Sequence, residues 1–309
     1  MTESLIVSAP ATSANLGPGF DVLAVALDLT NAVVITKRPG PLTVRVTGEG
    51  AGVLPEDATN LVCRALSQGL ETLDGLDIEC RNRIPLGRGL GSSAATVCAG
   101  LAAANALGSL RWSPTEMLRR AAEIEGHADN AAACLNGGMI AVGANHSTIQ
   151  LGTSDELAFV AAIPADAVST TEARQSLPAT IPLADAAATL ANGIRLVIAL
   201  TSGQLNGITD ALDDGLHEPY RSGMVPGIAA LRALVGTHGC LGATISGSGP
   251  TVLLWCRHAD LAELETAAAN ALAAEGCPTE VRQMRIASTG VRARWASPGD
   301  APRLERSIG

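Results

Sequence analysis

The chain has 309 residues, of which 47% are hydrophobic and 17% charged, with a formal net charge of −9. That length accommodates two domains or one large core, and the composition excludes wholesale disorder. The acidic balance argues against nucleic acid or an anionic membrane as partner, aromatics at 2% leave little stacking surface, and no apolar run reaches the length of a membrane span.

The N-terminal Met1-Thr-Glu-Ser lacks the features of a secretory leader, and the seven cysteines form no C-x-x-C pair. Both point to a soluble cytoplasmic protein with reduced, buried thiols. Lys37 is the only lysine among 21 basic residues, so charged clamps elsewhere must be arginine.

Residues 4–9 and 22–36 are rich in β-branched side chains and read as two strands separated by a Pro/Gly loop. Residues 42–47 alternate apolar and polar as a half-exposed strand does. Helical spacing follows over 60–73, strand character over 76–84, and a glycine-rich turn over 85–91. A helix is predicted over 92–107 with Ser92 or Ser93 as N-cap, and another over 114–126, followed by a polar turn at 127–130.

A strand at 139–143 precedes a change of composition near 145–157, the expected junction between domains 1–155 and 156–309. The second half reads as strand 158–163, a Ser/Thr-rich loop, helix 183–192 and strand 195–200. Helix 225–235, strands 241–246 and 251–256, helix 259–275 and strand 280–286 complete it. The tail after Trp295 reads as poorly ordered. The mixed order favours α+β over a doubly wound sheet.

Three segments carry chemistry. Pro85-Leu-Gly-Arg-Gly-Leu-Gly-Ser-Ser-Ala-Ala95 has glycines at alternate positions leading into a helix start. Uncovered amides and the positive end of the helix then face one point, a cradle for a phosphate chain. No lysine precedes the serines, so this is not a Walker A loop, and Ser92 breaks the dinucleotide fingerprint. Pro10-Ala-Thr-Ser-Ala-Asn-Leu-Gly-Pro-Gly-Phe-Asp21 places Asn15 and Asp21 in a stiff loop between strands. Gly242-Ala-Thr-Ile-Ser-Gly-Ser-Gly-Pro-Thr251 is a third loop of small donors.

In order and spacing these segments resemble the three motifs of the GHMP kinases, and residues 85–95 match the family's ATP loop without a gap. The resemblance implies an N-terminal domain like domain 2 of ribosomal protein S5 and a C-terminal ferredoxin-like α/β-plait. It further implies ATP held by Pro85, Leu86, Gly87, Arg88, Gly89, Leu90, Gly91, Ser92 and Ser93, with Thr244 closing over the phosphates and Asn60 at the adenine. Mg²⁺ would lie between Ser93 and either Glu123 or Glu125, with Glu123 slightly favoured.

Residues 8–21, Glu125-Gly-His-Ala-Asp-Asn130, Ser169-Thr-Thr-Glu-Ala-Arg174 and Leu216-His-Glu-Pro-Tyr-Arg221 are similar to the branch of that family that phosphorylates L-homoserine, a step of threonine biosynthesis. Arg174 and Arg221 suit the acceptor's carboxylate, and Asp21, with Asn15 or Asn130, its ammonium. His127 and Gly247 complete the implied acceptor site, and Asp129, Ser93 and Thr170 the catalytic set. Direct transfer without a strong base is expected, as is a homodimer. A kinase of mevalonate-like alcohols and an inactive binding homologue are the rival readings.

Overall fold

Residues 3–296 are described by a computed structural model. Two long antiparallel strands, β1 (Ser4–Ala14) and β2 (Leu23–Lys37), form the spine of a seven-stranded sheet. β3 (Thr43–Gly48) leads through the short helix α1 (Leu61–Leu66) to β4 (Leu76–Asn82), which lies parallel to β3 and antiparallel to β2. Sequence spacing extends α1 to Leu73. The structure ends it at Leu66, and in the turn that follows Gly69 packs against Leu110 and Trp112 with no room for a side chain.

Helix α2 (Ser92–Leu107) is rich in Ala and Gly because it is buried nearly all round. At Gly100 it lies so close to α1 that a Cβ would meet the Val62 carbonyl at 2.8 Å. Helix α3 (Pro114–Glu125) is capped by Ser113, whose side chain accepts from the Glu116 amide. Sequence reading left 127–130 as a turn, but residues from Asp129 open a further helix, α4 (Asp129–Asn136). The hairpin β5 (Met139–Val142) and β6 (Thr148–Leu151) closes this sheet against the start of β2.

The second sheet has four antiparallel strands. β7 (Leu157–Pro164) is buried at every position, since alternate side chains serve two cores. Phe159 joins the large core over the first sheet and packs edge-on to Trp255 at 5.0 Å, while Val160 faces a smaller core. Helix α5 (Thr170–Gln175) forms within the expected loop. Helix α6 (Leu183–Ser202) runs unbroken through residues 195–200, which sequence reading assigned to a strand. Helix α6 is long and apolar enough to span a bilayer by length and composition alone, with a mean hydropathy of 1.5, although the sequence reading found no such run.

A short α7 (Glu218–Arg221) and α8 (Ile228–Arg232) precede β8 (Gly242–Ile245) and β9 (Val252–Arg257). α9 (Leu261–Ala274) and β10 (Thr279–Arg285) complete this sheet. Its order is β10-β7-β9-β8, with α5 to α8 between its first two strands and α9 between its last two. That is the 4-1-3-2 order of a ferredoxin-like plait. The chain then recrosses the expected junction at 155/156: β11 (Arg292–Ala296) pairs with β1 at the edge of the first sheet. Val291, Ala293 and Trp295 alternate with Arg292 and Arg294 into and along it, a period-2 pattern that sequence reading passed over because the strand is short and mostly exposed. The predicted disordered tail lies outside the described residues beyond Ala296.

Candidate active site

Glycine residues fix the phosphate loop. Gly87, Gly89 and Gly91 all have φ between 64° and 75°, the left-handed region open to glycine. At Gly89 a Cβ would fall inside the carbonyl oxygen of Ser246, and at Gly91 inside Thr12 Oγ1. The loop is thus pressed between the first and third motifs. Ser246 Oγ donates to Gly89 O at 2.7 Å, the Thr12 amide donates to Leu90 O at 3.0 Å, and the Gly247 amide to Ala14 O at 3.0 Å.

Gly91, not a serine, is the N-cap of α2, and no side chain caps it. Ser92 Oγ lies 3.3 Å from Ile84 O, whereas Ser93 Oγ donates to Glu125 Oε1 at 2.6 Å. The amides of Ser92, Ser93 and Ala94 open the helix without intrahelical acceptors and line the cleft. The site therefore presents three free donors and a helix dipole to an anion.

These groups line one partly open cleft. It brings together Asn15, Asp21, Pro85, Gly87 through Ser93, Glu125, His127, Asp129, Asn130, Thr170, Arg174, Arg221 and Gly247. Leu86, Asn60, Thr244 and Glu123 are not in its wall. Leu86 contributes only a carbonyl that accepts from Arg88 Nη1 at 2.6 Å. Asn60 caps α1, accepting from the Val62 amide and donating to Pro55 O. Thr244 is sealed inside the second sheet, where its hydroxyl accepts from Trp255 Nε1 at 2.9 Å. Glu123 is exposed on the far side of α3 and paired with Arg119, so Glu125 is the carboxylate beside Ser93. A more open hollow at Lys37, Arg38 and Asp74 lies away from all of these groups.

At the acceptor end Arg174 makes two 2.9 Å bonds with the two oxygens of Asp21, which raises its already high pKa. Arg221 is buried: Nη1 donates to Gly247 O at 3.1 Å and Nε to Ala173 O at 3.3 Å, and burial lowers its pKa. Both guanidinium groups lie 5.4 Å from the centroid of the Phe20 ring, one from each of two separate helices. Asn15 ties the loops together, donating to Gly247 O and accepting from the Asp21 amide.

Asp129 is buried; its Oδ1 lies 3.1 Å from His127 Nδ1 and accepts from the Asn130 amide at 2.7 Å. The bond to Asp129 raises the His127 pKa above its ordinary value, outweighing burial. Asn130 Oδ1 accepts from Thr12 Oγ1 at 2.7 Å, so its amide NH₂ is the end left for the cleft.

Sequence reasoning passed over four supporting groups. Thr12 orients Asn130, and Phe20 lies between the arginines. His217 stacks on Phe20 at 5.3 Å, bonds the carbonyls of Asn15 and Gly17 through Nε2, and faces Arg221 through Nδ1; burial lowers its pKa. Asp214 caps the turn before α7 by accepting from the amides of Leu216, His217 and Glu218. Thr12, Phe20 and His217 stand inside the quoted motifs, so the motifs themselves were the available signal. Arg88 also differs from expectation: its guanidinium is spent on the carbonyls of Leu86, Pro164 and Ala165, strapping the phosphate loop to the end of β7.

Ser93 and Glu125 offer two hard oxygens beside free amides, a donor set that fits Mg²⁺ shared with substrate phosphates. Among the described residues no cluster of three or more His, Cys, Asp or Glu offers a self-sufficient metal cage.

Comparison with known proteins agrees with this geometry. Residues 56–138 match the GHMP kinases N terminal domain and residues 196–274 the GHMP kinases C terminal domain. The homoserine kinase of Streptomyces avermitilis is 42% identical over 80% of this chain and 84% of its own length. That of Mycobacterium ulcerans is 37% identical over 97% of this chain and 98% of its own. The crystal structure of homoserine kinase from Cytophaga hutchinsonii superposes with a TM-score of 0.86 at 32% identity, covering 94% of this chain and 97% of that one. These matches in sequence and in fold place the chain in the GHMP kinase family.

Proposed function

We propose that this chain transfers the γ-phosphate of ATP to the terminal hydroxyl of L-homoserine, giving O-phospho-L-homoserine for threonine synthesis. The observation that carries the reading is the single cleft: a phosphate cradle at one end and, at the other, Asp21, Arg174 and Arg221, matching a zwitterion. The relatives of similar length that bear the name homoserine kinase support the same acceptor.

Phosphoryl transfer has a loose transition state, so positioning and charge neutralisation dominate its catalysis. The amides of the glycine loop and of Ser92 to Ala94 hold the phosphates. Ser93 Oγ and Glu125 would hold Mg²⁺, which would supply positive charge to offset that of the phosphates. Acceptor binding exchanges the Asp21–Arg174 pair for two contacts of opposite sign, carboxylate to Arg174 and Arg221, ammonium to Asp21. Arg221 arrives preoriented by Gly247, Ala173 and His217.

Asp129 has both donors on Oδ1, and no protein donor among the described residues reaches Oδ2. Oδ2 therefore orients the acceptor hydroxyl, with Asn130 and Thr170 alongside, and transfer is direct. A carboxylate is intrinsically a weak base toward an aliphatic alcohol. The acidic composition and thiols that are mostly buried support work in the cytoplasm, and the enzyme acts as a homodimer.

An ADP-release assay with L-homoserine, L-threonine, L-serine and mevalonate tests the reading. Turnover with homoserine at least a hundredfold above the others is expected. Preference for mevalonate, or no ATP-dependent transfer to any amino alcohol, overturns it.

A further inference from the structure

Helix α6 leaves one face bare. Leu183, Leu190, Ile194 and Ile198 are 85%, 66%, 53% and 57% exposed, with Ala187 and Ala191 exposed among them. Their spacing puts all six on one stripe along the helix. The only charges on α6 lie off that stripe: Asp185 backs onto Gly215, and Arg195 bonds the Asp210 carbonyl at 3.1 Å. A contiguous apolar patch of this length is unusual on a monomer.

We infer that this stripe is the two-fold interface between two copies of the chain, α6 of each lying antiparallel on α6 of the other. The inference rests on the homodimer proposed above and gives it a surface. About an axis between Leu190 and Ala191, Leu183 meets the partner's Ile198, Ala187 the partner's Ile194, and Leu190 the partner's Ala191. Two of these three layers set a large side chain into the space left by an alanine, and because the axis repeats each layer the stripe complements itself. An unrelated partner has no use for that match.

The area agrees. Taking roughly 180 Å² for a fully exposed Leu or Ile, the stripe offers about 500–600 Å² per copy, so pairing removes up to about 1,000–1,200 Å², which clears the roughly 1,000 Å² a biological interface needs, at the weaker end of the scale. A bilayer is the poorer occupant. Interfacial helices flank their apolar face with Lys and Arg, whereas α6 has the single cation Arg195 and the chain carries −9.

The buried side of α6 holds the acceptor end of the cleft. Thr189 Oγ1 accepts from the Gly215 amide at 3.0 Å and Asn192 Nδ2 donates to Asp213 O at 3.0 Å, immediately before Asp214 and the turn that places Arg221. Pairing through the outer face therefore steadies the helix that braces the acceptor pocket.

Sedimentation velocity on the full chain tests this. The wild type should sediment as a dimer, and Leu190→Glu and Ile194→Glu as monomers with melting temperatures within a few degrees of it. On mild oxidation Ala191→Cys should cross-link between copies. Leu183→Cys should not, since its two copies stand about 20 Å apart in the antiparallel register. The wild type is the background control, six of its seven thiols being buried. A monomeric wild type, a dimer that survives Leu190→Glu, cross-linking through Leu183→Cys, or flotation of the wild type with phosphatidylserine vesicles each overturns the interface. None of these results touches homoserine phosphorylation, which the assay above decides separately.

Discussion

Replacing Arg174 by alanine separates the acceptor end of the cleft from the nucleotide end. In the free protein its guanidinium is held by both oxygens of Asp21, but the side chain is 52% exposed. An exposed ion pair of that kind contributes only about 0–1 kcal/mol. Two charge-assisted bonds to a substrate carboxylate are worth about 1.5–3 kcal/mol each. After subtracting the exchanged pair, truncation should cost at least about 2 kcal/mol, or roughly 30-fold or more in kcat/KM for homoserine. An ADP-release assay titrated in each substrate should show this loss with the ATP KM changed less than threefold. Arg174→Lys should recover little, because an ammonium cannot make the paired contact. The melting temperature should hold within about 2 °C, as little buried surface is removed. Equal rises in both KM values, or a homoserine loss below threefold, refutes the assignment.

Glu125→Gln should lower kcat/KM more than a hundredfold and raise the Mg²⁺ concentration needed for half activity, whereas Glu123→Gln stays within twofold; a metal titration of both distinguishes them. Gly89→Ala drives a Cβ into the Ser246 carbonyl, and should cost about 2–4 kcal/mol of stability and at least tenfold in ATP affinity. Gly52→Ala, at φ 73° with nothing within 4 Å, should cost only about 1 kcal/mol, and denaturant melts that fail to separate the two remove the steric argument. Burial pushes the Glu218 carboxyl up to about 7 despite Arg232 beside it. The folded state thus retains a proton that the unfolded chain releases near 4.5, a contribution complete below that pH and lost as pH rises through about 7. Over that window the loss is about 3 kcal/mol. Glu218→Gln should flatten this slope in melts from pH 5 to 8, and an unchanged slope counts against the assignment.

Most of the fold was legible wherever a local pattern decided it. The β-branched runs of β1 and β2, the glycine loop before α2, and the Gly-Gly break before β5 each carry their signal in adjacent residues. Residues 195–200 misled because Arg-Leu-Val-Ile-Ala-Leu has strand propensity, while the preceding alanines and the packing of Leu196 and Leu200 hold it in α6. β11 carries only a short alternation, Val291-Arg-Ala-Arg-Trp295, too brief to stand out without the neighbour it pairs with.

In the site, most residues inside the long motifs line one cleft, but a motif does not say which way each side chain turns. Thr244, inside the third, looks like a phosphate donor until Trp255 is seen to claim its hydroxyl. Glu123 and Glu125 are alike on paper and separate only when helix rotation sends one to Arg119 and the other to Ser93.

The return of the last strand makes the two halves inseparable. Gly290 threads between layers, with no space for a side chain against the Leu135 carbonyl, and the Val291 amide is bonded to Cys134 O. A fragment ending near 155 would keep the phosphate cradle's residues yet expose β1 as a raw edge, inviting aggregation. Synthesis order follows as well: the first sheet cannot be completed until residues 292–296 have emerged, so its maturation waits on a strand made after the whole second sheet.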